Sequence, residues 1–183
     1  MAFEQIAGRK RIGYKGIDRN KLWKKIHEKI EKYSETSENI CAKLYREDAF
    51  NILNEGFHGR NIVIMQFLIS HLYNTAQIGA INHLYDMLIE NVLGHRRAKT
   101  PFLFIFNDID TMNKGRDKFY PFLDKLESAG YEGTAYAFSA HSNGGLGRDR
   151  YSHRKDSEEY GNIKYQYSSC TCNNSAMLII EVN

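Results

Sequence analysis

Two aspartates stand directly after the most apolar segment in the second half of the chain. Residues 102–106 form an uninterrupted aromatic and aliphatic run, and Asp108 and Asp110 follow it. Carboxylates at the C-terminal end of a strand are well placed to hold Mg²⁺ beside a phosphate. Ser139 follows a second such run, at 134–138, where its hydroxyl would contact the phosphate. This constellation predicts a Mg²⁺-dependent phosphoryl-transfer enzyme or phosphodiester hydrolase, with Asp108 as nucleophile or metal ligand and Asp110 as acid/base or second ligand.

The order of these residues resembles the opening motifs of haloacid-dehalogenase-type phosphatases over residues 102–139. In that family one further residue separates the second aspartate from a threonine, whereas Thr111 directly follows Asp110. The alternative is structural, because Asp and Asn commonly accept backbone hydrogen bonds in turns. We expect this structural role for Asp108 and Asp110, and we therefore expect no cofactor, with Mg²⁺ as the alternative.

Two further groups of residues could bind ligands. A four-ligand zinc site could be assembled from His141, His153, Cys170 and Cys172, although Cys-x-Cys matches no common zinc spacing. Glycines within residues 142–148 could surround a phosphate with backbone N–H groups, but the Lys-Ser/Thr ending of a P-loop is missing. We expect no metal site, and a surface loop at 142–148.

Positive charge is concentrated at the N-terminus. The chain has 183 residues and a formal net charge of +3, yet residues 1–33 alone carry ten lysines and arginines against four acidic residues. Cations neutralise phosphates, and aromatic rings stack on bases. Two clusters combine both types and are our candidate residues for nucleic-acid or partner binding. They are Arg9, Lys10, Arg11, Tyr14, Lys15, Arg19 and Lys24 near the N-terminus, and Arg148, Arg150, Tyr151, Arg154 and Lys155 in a later polar stretch.

These observations favour a non-catalytic protein that docks on nucleic acid, or on the groove in which a partner enzyme holds nucleic acid. One form of this hypothesis is a phage or mobile-element inhibitor of a host nuclease, as inhibitors of CRISPR nucleases are. Three cysteines and no N-terminal apolar segment predict a cytoplasmic protein. The abundance of Lys, Asn, Ile and Tyr, whose codons are AT-rich, indicates a bacterial or phage source. No apolar run reaches the roughly 18 residues of a membrane helix, so we expect no membrane partner. The sequence leaves the oligomeric state open.

Hydrophobic periodicity predicts an α+β or mixed α/β fold. Helices are expected over 19–33, 38–54, 61–73 (with a strand at 61–65 as the alternative), 75–92 and 117–129, where Pro121 fits only the first turn. Strands are expected over 102–106, 134–138, 163–167 and 176–182. The first two strands should form a parallel pair with a right-handed crossover, and the last two a hairpin that turns at 170–174.

The predicted organisation is an irregular basic arm (1–16), a helical half of about four helices (17–94) and a small α/β half (100–183). The latter would hold a mixed sheet of about four strands and one crossover helix. Because the linkers are short, we expect both halves to share one core within a single domain.

Overall fold

A computed structural model describes residues 8, 10–55, 59–96, 100–109, 114–140, 158–160, 163–164, 171–172 and 175–183. Side chains are described throughout these ranges except at 114–117, 136–140, 158–160, 163–164, 171–172 and 175–176. The architecture is α+β, as the periodicity predicts, and the chain divides into two compact units, Met1–Gly56 and Phe57–Asn183. The predicted division between residues 94 and 100 lies inside the second unit.

The first unit is a β-α-β arrangement followed by a short helix. Strand β1 (Ile12–Ile17) leads through a 3₁₀ turn (Lys21–Trp23) into helix α1 (Lys24–Thr36). Strand β2 (Ile40–Tyr45) then pairs in parallel with β1, and helix α2 (Ala49–Asn54) follows. The parallel pairing of β1 and β2 requires a crossover connection, which α1 supplies.

Side-chain caps fix where these helical segments begin. The Asn20 side chain accepts from Leu22 N at 3.0 Å, and the Asp48 carboxylate accepts from Phe50 N at 3.0 Å. Each cap satisfies a backbone donor that has no partner inside the helix. Ser37 Oγ accepts from Ile40 N at 3.2 Å, so this residue introduces strand β2 and not the predicted helix.

The second unit is built on a five-stranded sheet. Its strands in chain order are β3 (Ile62–Gln66), β4 (Phe102–Ile109), β5 (Gly133–Ala140), β6 (Glu158–Tyr160) and β9 (Ser175–Val182). The spatial order is β3-β4-β9-β5-β6, in which β9 runs antiparallel to both neighbours and the outer pairs are parallel. A separate small ladder joins β7 (Ile163–Lys164) to β8 (Thr171–Cys172).

Within the described residues, three helices accompany this sheet. They are α3 (Leu68–Asn74), α4 (Ile78–Met87), which continues as a π-helix over Leu88–Leu93, and α5 (Lys114–Ser128). Alternate residues of β4 are buried, because successive side chains of a strand point to opposite faces. Phe104 and Phe106 lie on the buried face, with their ring centroids 5.1 Å and 4.9 Å from that of Phe122 in α5. Burial of each ring contributes about 2–3 kcal/mol to folding.

Several predicted elements are confirmed. The helices at 19–33, 75–92 and 117–129 correspond to α1, α4 with its π-helical end, and α5. The strands at 102–106 and 134–138 correspond to β4 and β5. The alternative prediction of a strand at 61–65 is confirmed by β3. The helix predicted over 61–73 begins only after this strand, as α3.

Other predictions are wrong. Residues 12–16 of the supposed irregular arm lie in β1, and residues 40–45, predicted as helix, form β2. Here the pairing of two strands overrides a local apolar spacing that also suits a helix. Pro121 lies in the interior of α5 and not in its first turn.

The predicted sheet pairings are wrong as well, because β9 lies between β4 and β5. These two strands point the same way but do not pair with each other. The predicted hairpin is also absent from the described strands: β9 pairs with β4 and β5, whereas Ile163–Lys164 pairs with Thr171–Cys172. Cys172 therefore lies in a strand and not in the turn.

Candidate nucleic-acid interface

One face of the β1–β2 pair presents two lysines directly opposite each other. The register pairs Lys15 with Lys43, and strand alternation places Tyr45 on the same face. We call this surface the lysine face; its members are Gly13, Lys15, Ile17, Cys41, Lys43 and Tyr45. None of the six is buried, whereas the opposite face carries the buried Ile40. Helix α1 contacts β2.

The two lysines converge on one aromatic ring. Lys43 Nζ lies 4.9 Å from the centroid of Tyr45, and Lys15 Nζ lies 6.0 Å from it. Both distances are within the range of cation–π attraction. Like charges directly opposite each other on paired strands are nevertheless destabilising. Positive charge concentrated on one face attracts anions, so the lysine face is suited to a phosphate.

Two further predicted cations lie close in sequence to this face. Lys10 and Arg11 are exposed and immediately precede β1. Arg11 also lines a cleft of about 450 Å³ at the N-terminal ends of the two strands, where Glu38 is a second lining residue. Because the cleft carries one cation and one carboxylate, it is less suited to a polyanion than the lysine face.

The other N-terminal candidates lie elsewhere. Tyr14 belongs to the opposite face, with its ring next to Gly16. Arg19 forms an ion pair with Asp48 at 3.1 Å, and Lys24 lies 3.8 Å from Glu28. Such pairing partly neutralises both cations.

The remaining binding and metal candidates lie outside the residues whose side chains the structure describes. Those outside the described residues are Arg9, Arg148, Arg150, Tyr151, Arg154, Lys155, His141, His153 and Cys170, and the side chain of Cys172 is also outside. The Gly-rich stretch at 142–148 lies there too. Within the part of the chain that the structure describes, no three His, Cys, Asp or Glu side chains are arranged to hold a metal ion.

Asp108 has a structural role in the second unit. Its side chain is only 1% exposed, and its carboxylate accepts from Ser70 N at 2.9 Å and from Ile109 N at 2.7 Å. Ser70 lies in the first turn of α3, which begins after Phe67, a residue that provides no side-chain cap. A carboxylate that accepts first-turn N–H groups stabilises a helix start. Asp108 therefore caps α3 across 38 positions of sequence.

Ser139 lies further from Asp108 than the resemblance to phosphatases implies. Asp108 and Ser139 are both register partners of Ala176, on its two sides, so β9 separates them. Two strand spacings correspond to about 10 Å between their backbones. Asp110 and the side chain of Ser139 lie outside the described residues.

The charge of Asp108 also acts on a buried phenol. Burial raises the pKa of Tyr85 well above its usual range, and the negative charge of Asp108 raises this pKa further. The Tyr85 hydroxyl donates to the backbone carbonyl of Lys118 at 2.6 Å. The phenol is thus a neutral hydrogen-bond donor that joins α4 to α5.

Sequence reasoning missed Lys43 and Tyr45. A helix over 38–54 would have turned these side chains to different faces, and only the strand brings them beside Lys15. Residues 40–45 show no clear alternation of apolar and polar positions, since Lys43 is their one charged residue, so the local sequence contains no signal for these two side chains.

Comparison of the chain with protein-family models, with curated proteins and with solved structures found no match. No helix within the described ranges has the length and apolar character needed to cross a bilayer.

Proposed function

We propose that this protein binds nucleic acid without catalysing a reaction, and that the lysine face contacts the phosphate backbone. The observation that carries the proposal is the direct opposition of Lys15 and Lys43 on a face without buried residues. Two lysines at paired positions of adjacent strands concentrate positive charge on one face, which favours a bound anion. The exposed Lys10 and Arg11 next to β1 add cations to the path of a strand of phosphates.

The contact is expected to be with backbone and not with base edges. Lysine ammonium groups are point charges that position a nucleic acid but carry little sequence information. Both lysines contact the Tyr45 ring through cation–π interactions, so we expect this ring to position the ammonium groups and not to stack on a base. We therefore expect weak sequence preference and strong dependence on salt.

The first test measures affinity by fluorescence anisotropy with labelled single-stranded DNA, RNA and duplex DNA. The variant is K15Q/K43Q, and its matched control is K25Q/K29Q, which removes the same charge from two exposed lysines of α1. Each lost phosphate contact on a single strand lowers the salt slope by about 0.7. K15Q/K43Q should thus lower the slope by about 1.4 and the affinity at about 0.1 M salt roughly 25-fold. The control should change the slope by less than about 0.5.

The second test uses Cys41, an exposed thiol on the lysine face, as a reporter. Bound nucleic acid should slow alkylation of Cys41, measured by mass spectrometry of the peptide that contains it. Absence of binding at low salt, equal losses in the two double variants, or an unprotected Cys41 would each refute the proposal. Binding to an acidic protein groove in place of nucleic acid would give the first of these results.

A further inference from the structure

The helical segment 21–36 exposes an apolar stripe. Leu22 is 87% exposed, which is the largest value among the large hydrophobic side chains of the described chain, and Trp23, Ile26 and Tyr33 are 46%, 45% and 42% exposed. Leu22, Ile26 and Tyr33 recur at intervals of four and seven residues, so they lie along one side of the helical segment, and Trp23 lies beside this stripe. Large exposed apolar patches with a polar rim are typical of surfaces that bind another protein or a membrane.

The stripe is distinct from the side of α1 that packs inside the first unit. That inner side carries His27, the one buried residue of α1, and the helix contacts β2. Helical geometry places His27 about 100° further around the axis than Ile26. The folded unit therefore holds the stripe outward.

A row of lysines borders the stripe. Lys25, Lys29 and Lys32 are all exposed and recur at intervals of four and three residues. Lys25 and Lys29 are like charges one helical turn apart, an arrangement that costs stability in water. The helix thus presents apolar side chains beside a row of ammonium groups. This combination is complementary to a surface that has anionic groups on the outside and an apolar layer below them.

We propose that α1 binds the surface of an anionic membrane through this stripe and its lysine row. Leu22 and Ile26 would enter the acyl-chain boundary, Tyr33 would lie at the headgroup level, Trp23 would lie at the edge of the contact, and the lysines would contact lipid phosphates. A nucleic acid offers no apolar layer for an exposed leucine, and a second copy would bring two lysine rows together. This proposal departs from the expectation of no membrane partner, which was based on the lack of a spanning segment; a helix in the interface needs no span.

Trp23 makes the proposal directly measurable, because it is the single tryptophan of the chain. Vesicles of phosphatidylcholine and phosphatidylserine should shift its emission to the blue and protect it from aqueous quenchers. Vesicles of phosphatidylcholine alone should do so much more weakly. An unchanged spectrum with the anionic vesicles would refute the proposal.

Two double variants test the apolar and the electrostatic contributions to vesicle binding, which is measured by co-sedimentation. L22S/I26S removes the apolar anchor and should lower binding at least about tenfold, since each side chain is held mainly by burial. Its control is Ile78→Ser, which changes another exposed isoleucine, on α4, and should bind as the parent does. K25Q/K29Q should lower binding about 25-fold, from roughly 1 kcal/mol per lysine near an anionic surface.

K15Q/K43Q separates this inference from the proposed function, because it should weaken nucleic-acid binding and leave vesicle binding unchanged. If L22S/I26S abolishes nucleic-acid binding instead, or abolishes a dimer seen by light scattering, the stripe has a different occupant and the inference is wrong. Circular dichroism of each variant verifies that it is folded. If the double variant L22S/I26S unfolds, vesicle binding is measured with the single variants L22S and I26S.

Discussion

Replacement of Asp108 by alanine tests whether this buried carboxylate supports the fold or serves chemistry. The substitution removes both acceptors that bind Ser70 N and Ile109 N, at 2.9 Å and 2.7 Å. Hydrogen bonds to a charged group contribute about 1.5–3 kcal/mol each. Ser70 is only half-buried and Ile109 is exposed, so water replaces part of what is lost. We expect the free energy of unfolding to fall by about 2–4 kcal/mol.

The conservative variant sharpens this expectation. Asp108→Asn keeps one oxygen acceptor and turns an amide N–H₂ toward the second donor, so the loss should be about half as large. Urea unfolding followed by far-ultraviolet circular dichroism is the appropriate assay, since the single tryptophan lies in the other unit. Glu127→Ala, which removes an exposed carboxylate from α5, is the matched control and should change stability by less than about 0.5 kcal/mol.

The opposite result has a clear meaning. Residues kept for catalysis are often replaced at no cost to stability, or with a gain. If Asp108→Ala is as stable as the parent or more stable, the capping role is refuted. The Mg²⁺-dependent alternative, with Asp108 as ligand or nucleophile, would then regain its support.

Two other predictions concern stability. Because the pKa of Tyr85 is raised in the folded state, the unfolded chain loses this phenolic proton first, and stability should fall by about 1.4 kcal/mol per pH unit above about pH 10. Tyr85→Phe should remove that part of the decline between about pH 9 and pH 11, and equal slopes for parent and variant would contradict the pKa shift. Arg19→Ala should change unfolding by less than about 0.5 kcal/mol, since its ion pair is largely exposed. Asp48→Ala should cost about 1 kcal/mol, because this residue also caps α2, and equal effects of the two in urea unfolding would refute that role.

The sequence by itself determined the elements whose pattern is local. The apolar period of α4, the continuous apolar run of β4 and the stop of α5 before Gly130 follow from side-chain spacing and from backbone preferences. Gly130 adopts a φ of 78°, a conformation that only glycine takes without strain. The α+β class follows from the same patterns.

Only the tertiary structure decided the features that join distant segments. Strand β2 forms because β1 is available to pair with it, and this pairing creates the lysine face. Strand β9 enters between β4 and β5, which no local pattern specifies. Asp108 caps a helix that begins 40 residues earlier in the chain, at Leu68. In each case the stabilising partner lies far away in sequence, so the spacing of neighbouring residues does not predict the contact.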